Sequence, residues 1–228
     1  MIEPPLFVVP GFAQTPGAWN LVIDGLGEDT ATRSLDIPQH PTFRQTAHAL
    51  SEGRTGRWAG YSLGGRLALQ IALDHPAAVD ALLLVSATPG IAHPRARAAR
   101  RRADERLAGR VEAEGVDAFL AGWLSQPMFA DLEPAAARRH RLESAGAIAH
   151  QLRALGQGAQ EPLWDRLHEL TMPVTLVAGA RDEKYCAIAR KAVAAIGPNA
   201  ELHIVAGVGH NLLLTAPGVI AGLLASLR

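Results

Sequence analysis

The stretch Gly60-Tyr61-Ser62-Leu63-Gly64 sets a serine between two glycines, with a short strand-like run before it and helical apolar spacing from Leu63 to Leu73 after it. A tight strand-to-helix turn there lifts the serine oxygen clear of the backbone, and the glycines let strand and helix approach closely. Seven serines and 22 glycines in 228 residues lead to about 0.07 matches by chance, and a third glycine, Gly65, follows at once. The bland alternative is a glycine-rich turn without chemistry. A serine hydroxyl is a weak nucleophile or base until an imidazole takes its proton, and that imidazole needs a carboxylate to orient it. Asp182 follows the apolar run 174–178 in Gly179-Ala180-Arg181-Asp182, and His210 follows the run 201–205 in Gly207-Val208-Gly209-His210-Asn211. Three strand ends thus deliver Ser62, Asp182 and His210 in the chain order Ser, Asp, His.

The competing groups are weaker. His48, His75, His140, His150 and His168 fall in stretches read as helical, where a surface role is the simpler account; His40 and His93 lie in loops, but neither ends a strand. Glu183 is the alternative acid beside Asp182. No His, Asp or Glu group has a metal-ligand spacing such as H-E-x-x-H, and neither phosphate-binding glycine pattern, G-x-x-x-x-G-K-[ST] or G-x-G-x-x-G, occurs. The reading therefore includes no metal and no cofactor. Developing negative charge at such a site needs two backbone N–H donors. The spacing nominates Leu63, next to the serine at a helix N-terminus, and Phe12, in the turn Pro10-Gly11-Phe12; Pro10 lacks an N–H, but the donor required is that of Phe12.

These residues need a scaffold of strands. Leu6–Val9, a weaker run at 33–37, then 56–60, 81–85, 174–178 and 201–205 read as strands, with helices from Leu63 to Leu73, near 183–196 and at 216–227. Continuous apolar strands alternating with helices predict an α/β fold with a mostly parallel central sheet and helices on both faces. The stretch 91–165 breaks the alternation, being rich in Ala, Arg and Glu with no convincing strand, and is read as an inserted helical lid within one domain spanning 1–228. Its arginines from Arg95 to Arg110 have a simple explanation as a solvated helix face paired with Asp104, Glu105 and Glu112.

Composition bounds the partners. Hydrophobic residues make up 48% and charged residues 19%, an ordinary globular balance. The 22 Lys plus Arg cancel the 22 Asp plus Glu, so wholesale binding to nucleic acid or an anionic membrane is not expected. A single cysteine, Cys186, rules out an internal disulfide and fits a reducing compartment. Met1-Ile2-Glu3-Pro4-Pro5 has no secretory pattern, and no apolar run nears the roughly 20 residues of a membrane span. The expectation is a cytoplasmic monomer or small homo-oligomer acting on a small molecule.

The elbow, the strand pattern and the Asp and His loops make the chain resemble the α/β-hydrolase fold over nearly its whole length. A narrower likeness lies in Gly60-Tyr61-Ser62-Leu63-Gly64-Gly65-Arg66, Ala99-Arg100-Arg101-Arg102-Ala103-Asp104, Trp123-Leu124-Ser125-Gln126-Pro127-Met128-Phe129, Gly179-Ala180-Arg181-Asp182 and Gly209-His210-Asn211. Together these resemble the 2-succinyl-6-hydroxy-2,4-cyclohexadiene-1-carboxylate synthases, the lyases of menaquinone biosynthesis. The Trp-x-x-Gln-Pro-x-Phe stretch is the most specific element. The resemblance implies a triad of Ser62, Asp182 and His210, substrate-carboxylate arginines at Arg66, Arg100 and Arg141, and pocket positions at Tyr61 and Trp123. It also implies elimination of pyruvate from a tricarboxylate, with serine as base. The rival readings are a serine hydrolase of esters or carbon–carbon bonds using an acyl-enzyme, and a binding module without catalysis. Two features depart from that family: Pro10-Gly11 replaces its His-Gly, and Asp36-Ile37-Pro38-Gln39-His40-Pro41 lacks both glycines of its corresponding loop.

Overall fold

The computed structural model describes residues 4–27 and 30–227; Met1–Glu3, read above as free of a leader pattern, lies outside them. Six strands form one sheet: β1 (Leu6–Val9), β2 (Thr32–Ser34), β3 (Gly56–Tyr61), β4 (Val79–Val85), β5 (Val174–Gly179) and β6 (Ala200–Val205). Their spatial order is β2-β1-β3-β4-β5-β6, and every neighbouring pair is parallel. The sheet is thus wholly parallel where the sequence predicts mostly parallel. The weak candidate at 33–37 is correct only at Arg33 and Ser34: the edge strand runs Thr32–Ser34, starting one residue earlier and ending three earlier, although Leu35 N–H still donates to the Val8 carbonyl and Pro38 lies three residues on.

Between the strands run α1 (Asn20–Ile23), α2 (Phe43–Ser51), α3 (Leu63–Asp74), α4 (Pro94–Glu114), α5 (Val116–Leu124), α6 (Pro134–Arg138), α7 (Ala145–Leu155) and α8 (Glu183–Ile196), and after β6 come α9 (Leu212–Thr215) and α10 (Pro217–Ser226). Alternation along the strands divides the core. Phe7, Val9, Trp58 and Leu82 face α2, α3 and α8, while Leu6, Val8, Ala59 and Leu83 face α1, α9 and α10. Both faces are therefore covered, as a parallel sheet requires.

Helices α4 to α7 occupy the segment between β4 and β5. They carry an apolar cluster of their own, in which Ala108, Val111, Phe119, Leu120, Ile148 and Leu152 are buried together with Ala13 from the loop after β1. Burial of each large side chain contributes about 1.5–3 kcal/mol, so this layer is seated on the sheet's carboxyl end. The ion-pair pattern differs from a simple solvated face. Asp104 is buried, accepting from Arg100 Nε at 2.7 Å and from Gly158 N–H at 3.3 Å. Glu105 and Glu112 pair across to Arg153 on α7. His140, read as helical, instead sits in a turn at φ 55°, because α6 ends two residues earlier and Thr15 N–H takes its carbonyl.

Candidate active site

Ser62 stands between β3 and α3 with φ 52° and ψ −104°, a strained conformation for a residue with a side chain, of the kind concentrated at functional sites. Close packing forces it. A Cβ on Gly60 would lie 2.3 Å from Gly64 backbone atoms, and one on Gly64 would lie 2.1 Å from the Val9 carbonyl oxygen. The motif's glycines let the helix start directly against the strand beside it.

Asp182 caps α8: Oδ1 accepts from Tyr185 N–H at 3.2 Å, and Oδ2 accepts from His210 Nδ1–H at 2.6 Å. The other ring nitrogen, Nε2, accepts from the Ser62 hydroxyl at 3.3 Å. Asp182 and His210 are both buried. Two further groups hold the imidazole. Ser86, at the end of β4 with φ 48°, donates to the His210 carbonyl at 2.8 Å. The Tyr185 ring packs against the imidazole with centroids 4.5 Å apart.

The three side chains open into a cavity of about 500 Å³. All ten nominated residues line it: Phe12, Tyr61, Ser62, Leu63, Arg66, Arg100, Trp123, Arg141, Asp182 and His210. The pairing Val9↔Gly60 brings the loop after β1 beside the elbow, so Phe12 and Leu63 arrive from adjacent strand ends at the point where the strand order reverses. Neither N–H enters a hydrogen bond among the described residues. Pro10 leaves the turn intact, because Gly11 N–H is held by Gln14 Oε1 at 2.9 Å. Glu183, the alternative acid, and His40 and His93 do not line the cavity, nor does any residue of the altered 36–41 loop.

The cavity's charge is lopsided. Arg66 is buried and donates only to neutral acceptors, the Leu155 carbonyl at 2.7 Å and Gln160 Oε1 at 2.9 Å, with its guanidinium 5.3 Å from the Phe43 ring centre. Burial pushes it down from its ordinary value to about 10. Arg141 likewise donates to the carbonyls of Ala137 at 2.8 Å and Phe12 at 3.3 Å, and burial lowers it too. Of these three cavity arginines, Arg100, held by Asp104, is the one with a carboxylate partner among the described residues. Burial raises the phenols of Tyr61 and Tyr185, which keeps both as neutral hydroxyls. Trp123 packs on Phe12 with ring centroids 4.7 Å apart.

Sequence reasoning missed Tyr185, Lys184 and Ser86. Tyr185 and Lys184 lie within the first turn after Asp182, so a helix starting at 183 already points that turn at the site; nothing local marks Ser86. No group of three or more His, Cys, Asp or Glu side chains among the described residues is placed to hold a metal.

The alpha/beta hydrolase family profile matches residues 6–223. The chain belongs to that family. Among relatives of this α/β-hydrolase chain, a Bacillus subtilis protein provisionally named 2-succinyl-6-hydroxy-2,4-cyclohexadiene-1-carboxylate synthase is 32% identical over 214 residues, covering 89% of this chain and 78% of its own. The protein of that name from Escherichia coli O1:K1 is 34% identical over 174 residues, covering 74% and 67%. The solved structure of MenH from S. aureus superposes with a TM-score of 0.91 at 25% identity, covering 99% of this chain and 94% of that one. No helix among the described residues is long and apolar enough to cross a membrane.

Proposed function

We propose that this chain is a carbon–oxygen lyase that eliminates pyruvate from 2-succinyl-5-enolpyruvyl-6-hydroxy-3-cyclohexene-1-carboxylate, giving 2-succinyl-6-hydroxy-2,4-cyclohexadiene-1-carboxylate. The observation that carries the reading is the hydrogen-bonded Ser62–His210–Asp182 relay opening into a cavity where the buried Arg66 and the half-buried Arg141 have only neutral partners. A buried cation without a counter-ion favours an anionic ligand, and this substrate carries three carboxylates. The relatives named above support the same reaction.

In the proposed step His210, held by Asp182, takes the Ser62 hydroxyl proton as Ser62 Oγ removes the ring proton next to the succinyl carbonyl. The electron pair forms an enolate whose oxygen is met by the N–H groups of Phe12 and Leu63. As the enolate collapses, electrons shift through the ring, the ring carbon–oxygen bond breaks, and enolpyruvate leaves to become pyruvate on protonation. Serine acts as a base, and no acyl-enzyme forms. Tyr61 and Trp123 wall the ring, while Arg66, Arg100 and Arg141 hold carboxylates.

The test is pyruvate release from freshly made substrate, corrected for spontaneous breakdown, beside hydrolysis of a short-chain nitrophenyl ester, with Ser62→Ala as blank. Fast Ser62-dependent pyruvate release with feeble ester turnover supports the lyase. Background pyruvate with brisk ester cleavage makes the chain a serine hydrolase acting through an acyl-enzyme.

A further inference from the structure

The imidazole depends on a loop that its own sequence leaves loose. Gly207, at φ 76°, and Gly209 flank Val208 immediately before His210, and glycine backbones resist displacement least. Something outside the loop must hold it. On the carbonyl side of His210 that is Ser86 Oγ, at 2.8 Å. On the amide side it is the lid. Asp131 Oδ2 accepts the Gly209 N–H at 2.6 Å across 78 residues of chain, and the Met128 carbonyl accepts the His210 N–H at 3.4 Å. The edge of the Phe129 ring meets the imidazole with centroids 5.9 Å apart. Asp131 lies with Arg181 and Gly209 in a small cleft beside the main cavity; it does not line the main cavity.

We propose that Asp131 is a positioning residue. Its carboxylate, carried on the lid, fixes the backbone from which His210 hangs, so that the relay is aligned only while the lid segment 127–131 is seated. A charge-assisted bond from a backbone N–H to a carboxylate is about twice as strong as a neutral one, and it acts here on the residue next to the imidazole. With the lid displaced, water replaces Asp131 at Gly209 and the imidazole loses its fixed distance to Ser62. The inference rests on the relay reading of the site, but not on which substrate is turned over.

The test uses the full chain and a fluorophosphonate, which phosphonylates an activated serine: Ser62 Oγ bonds to phosphorus, fluoride leaves, and His210 takes the proton. The rate is read by intact mass for wild type, D131A, D131N, G209A and S62A. D131A is expected to slow labelling about 10- to 100-fold, the scale of a 1 Å misplacement. D131N should recover most of the rate, because its amide oxygen still accepts the Gly209 N–H. G209A provides an independent variant: its Cβ would lie 2.8 and 2.9 Å from the Asp131 oxygens and displace them, and combined with D131A it should add nothing further. The downfield proton resonance of the His210–Asp182 bond should persist in wild type and D131N and broaden in D131A. Labelling of D131A at the wild-type rate overturns the proposal, as does D131N behaving like D131A. A wild type that fails to label at Ser62 overturns the relay reading itself, and the clamp with it.

Discussion

Replacing Arg66 with glutamine separates a carboxylate cradle from a merely structural arginine. Arg66 is 6% exposed, and the partners of its guanidinium, the Leu155 carbonyl and Gln160 Oε1, are both neutral. Burial pushes it down from its ordinary value to about 10, because the free fold leaves the guanidinium without the solvation it has in water. A substrate carboxylate restores that interaction on binding, and truncating one partner of a buried charge pair costs about 2–5 kcal/mol. We therefore expect KM for the tricarboxylate to rise about 30- to 150-fold, equivalent to about 2–3 kcal/mol. Thermal stability should move little: the lost hydrogen bonds, worth about 1 kcal/mol each, are offset by removing a buried charge. Pyruvate release gives KM and kcat, thermal unfolding gives Tm, and hydrolysis of a neutral nitrophenyl ester serves as the control. An unchanged KM would refute the cradle. So would a KM increase shared equally by the neutral ester, or a Tm loss large enough to account for it.

Other predictions follow from the same geometry. Ser62→Ala should lose at least about a thousandfold in pyruvate turnover with the fold unchanged; near-normal steady-state rates would remove Ser62 from the chemistry. Gly64→Ala places a Cβ 2.1 Å from the Val9 carbonyl oxygen and should cost about 1–3 kcal/mol, several degrees in Tm, along with activity; wild-type Tm would show that strand and helix can part there. Anion affinity should stay level from pH 7 to 9, because the cavity arginines keep their protons there even though burial lowers Arg66 and Arg141. Binding of a tricarboxylate analogue is measured against that of a neutral ligand; affinity that falls between pH 7 and 9 for the tricarboxylate alone contradicts the assignment.

The sequence was most informative where the chemistry is local. A serine between glycines at a strand-to-helix junction can fold in few ways, since Gly60 and Gly64 are pressed against backbone atoms. The strand before Asp182 is a buried, mostly apolar run, and the one before His210 alternates polar and apolar residues; each stops at a glycine-containing turn, so the placement of both at carboxyl ends of the sheet is legible without coordinates. Short and marginal elements were not. Of the run at 33–37 only Arg33 and Ser34 lie in the three-residue edge strand, which starts at Thr32, where tertiary contacts outweigh weak β preference.

What the chain order alone determined is the parallel sheet, the elbow and the succession Ser62, Asp182, His210, because each depends on contacts within a few residues or on apolar periodicity. What only the tertiary structure decided is which charges face inward. Asp104 lies in a run that reads as a solvated face, yet it is buried and holds Arg100 at the cavity wall, while Glu105 beside it pairs outward with Arg153. Arg66 reads equally well as a surface or a pocket residue, and it is buried because α7 and the Gln160 turn close over α3. Ser86 and Asp131 carry no local mark at all. They meet the His210 loop from 124 and 78 residues away in sequence, and contacts at such separations are set by the packing of whole elements rather than by any pattern along the chain.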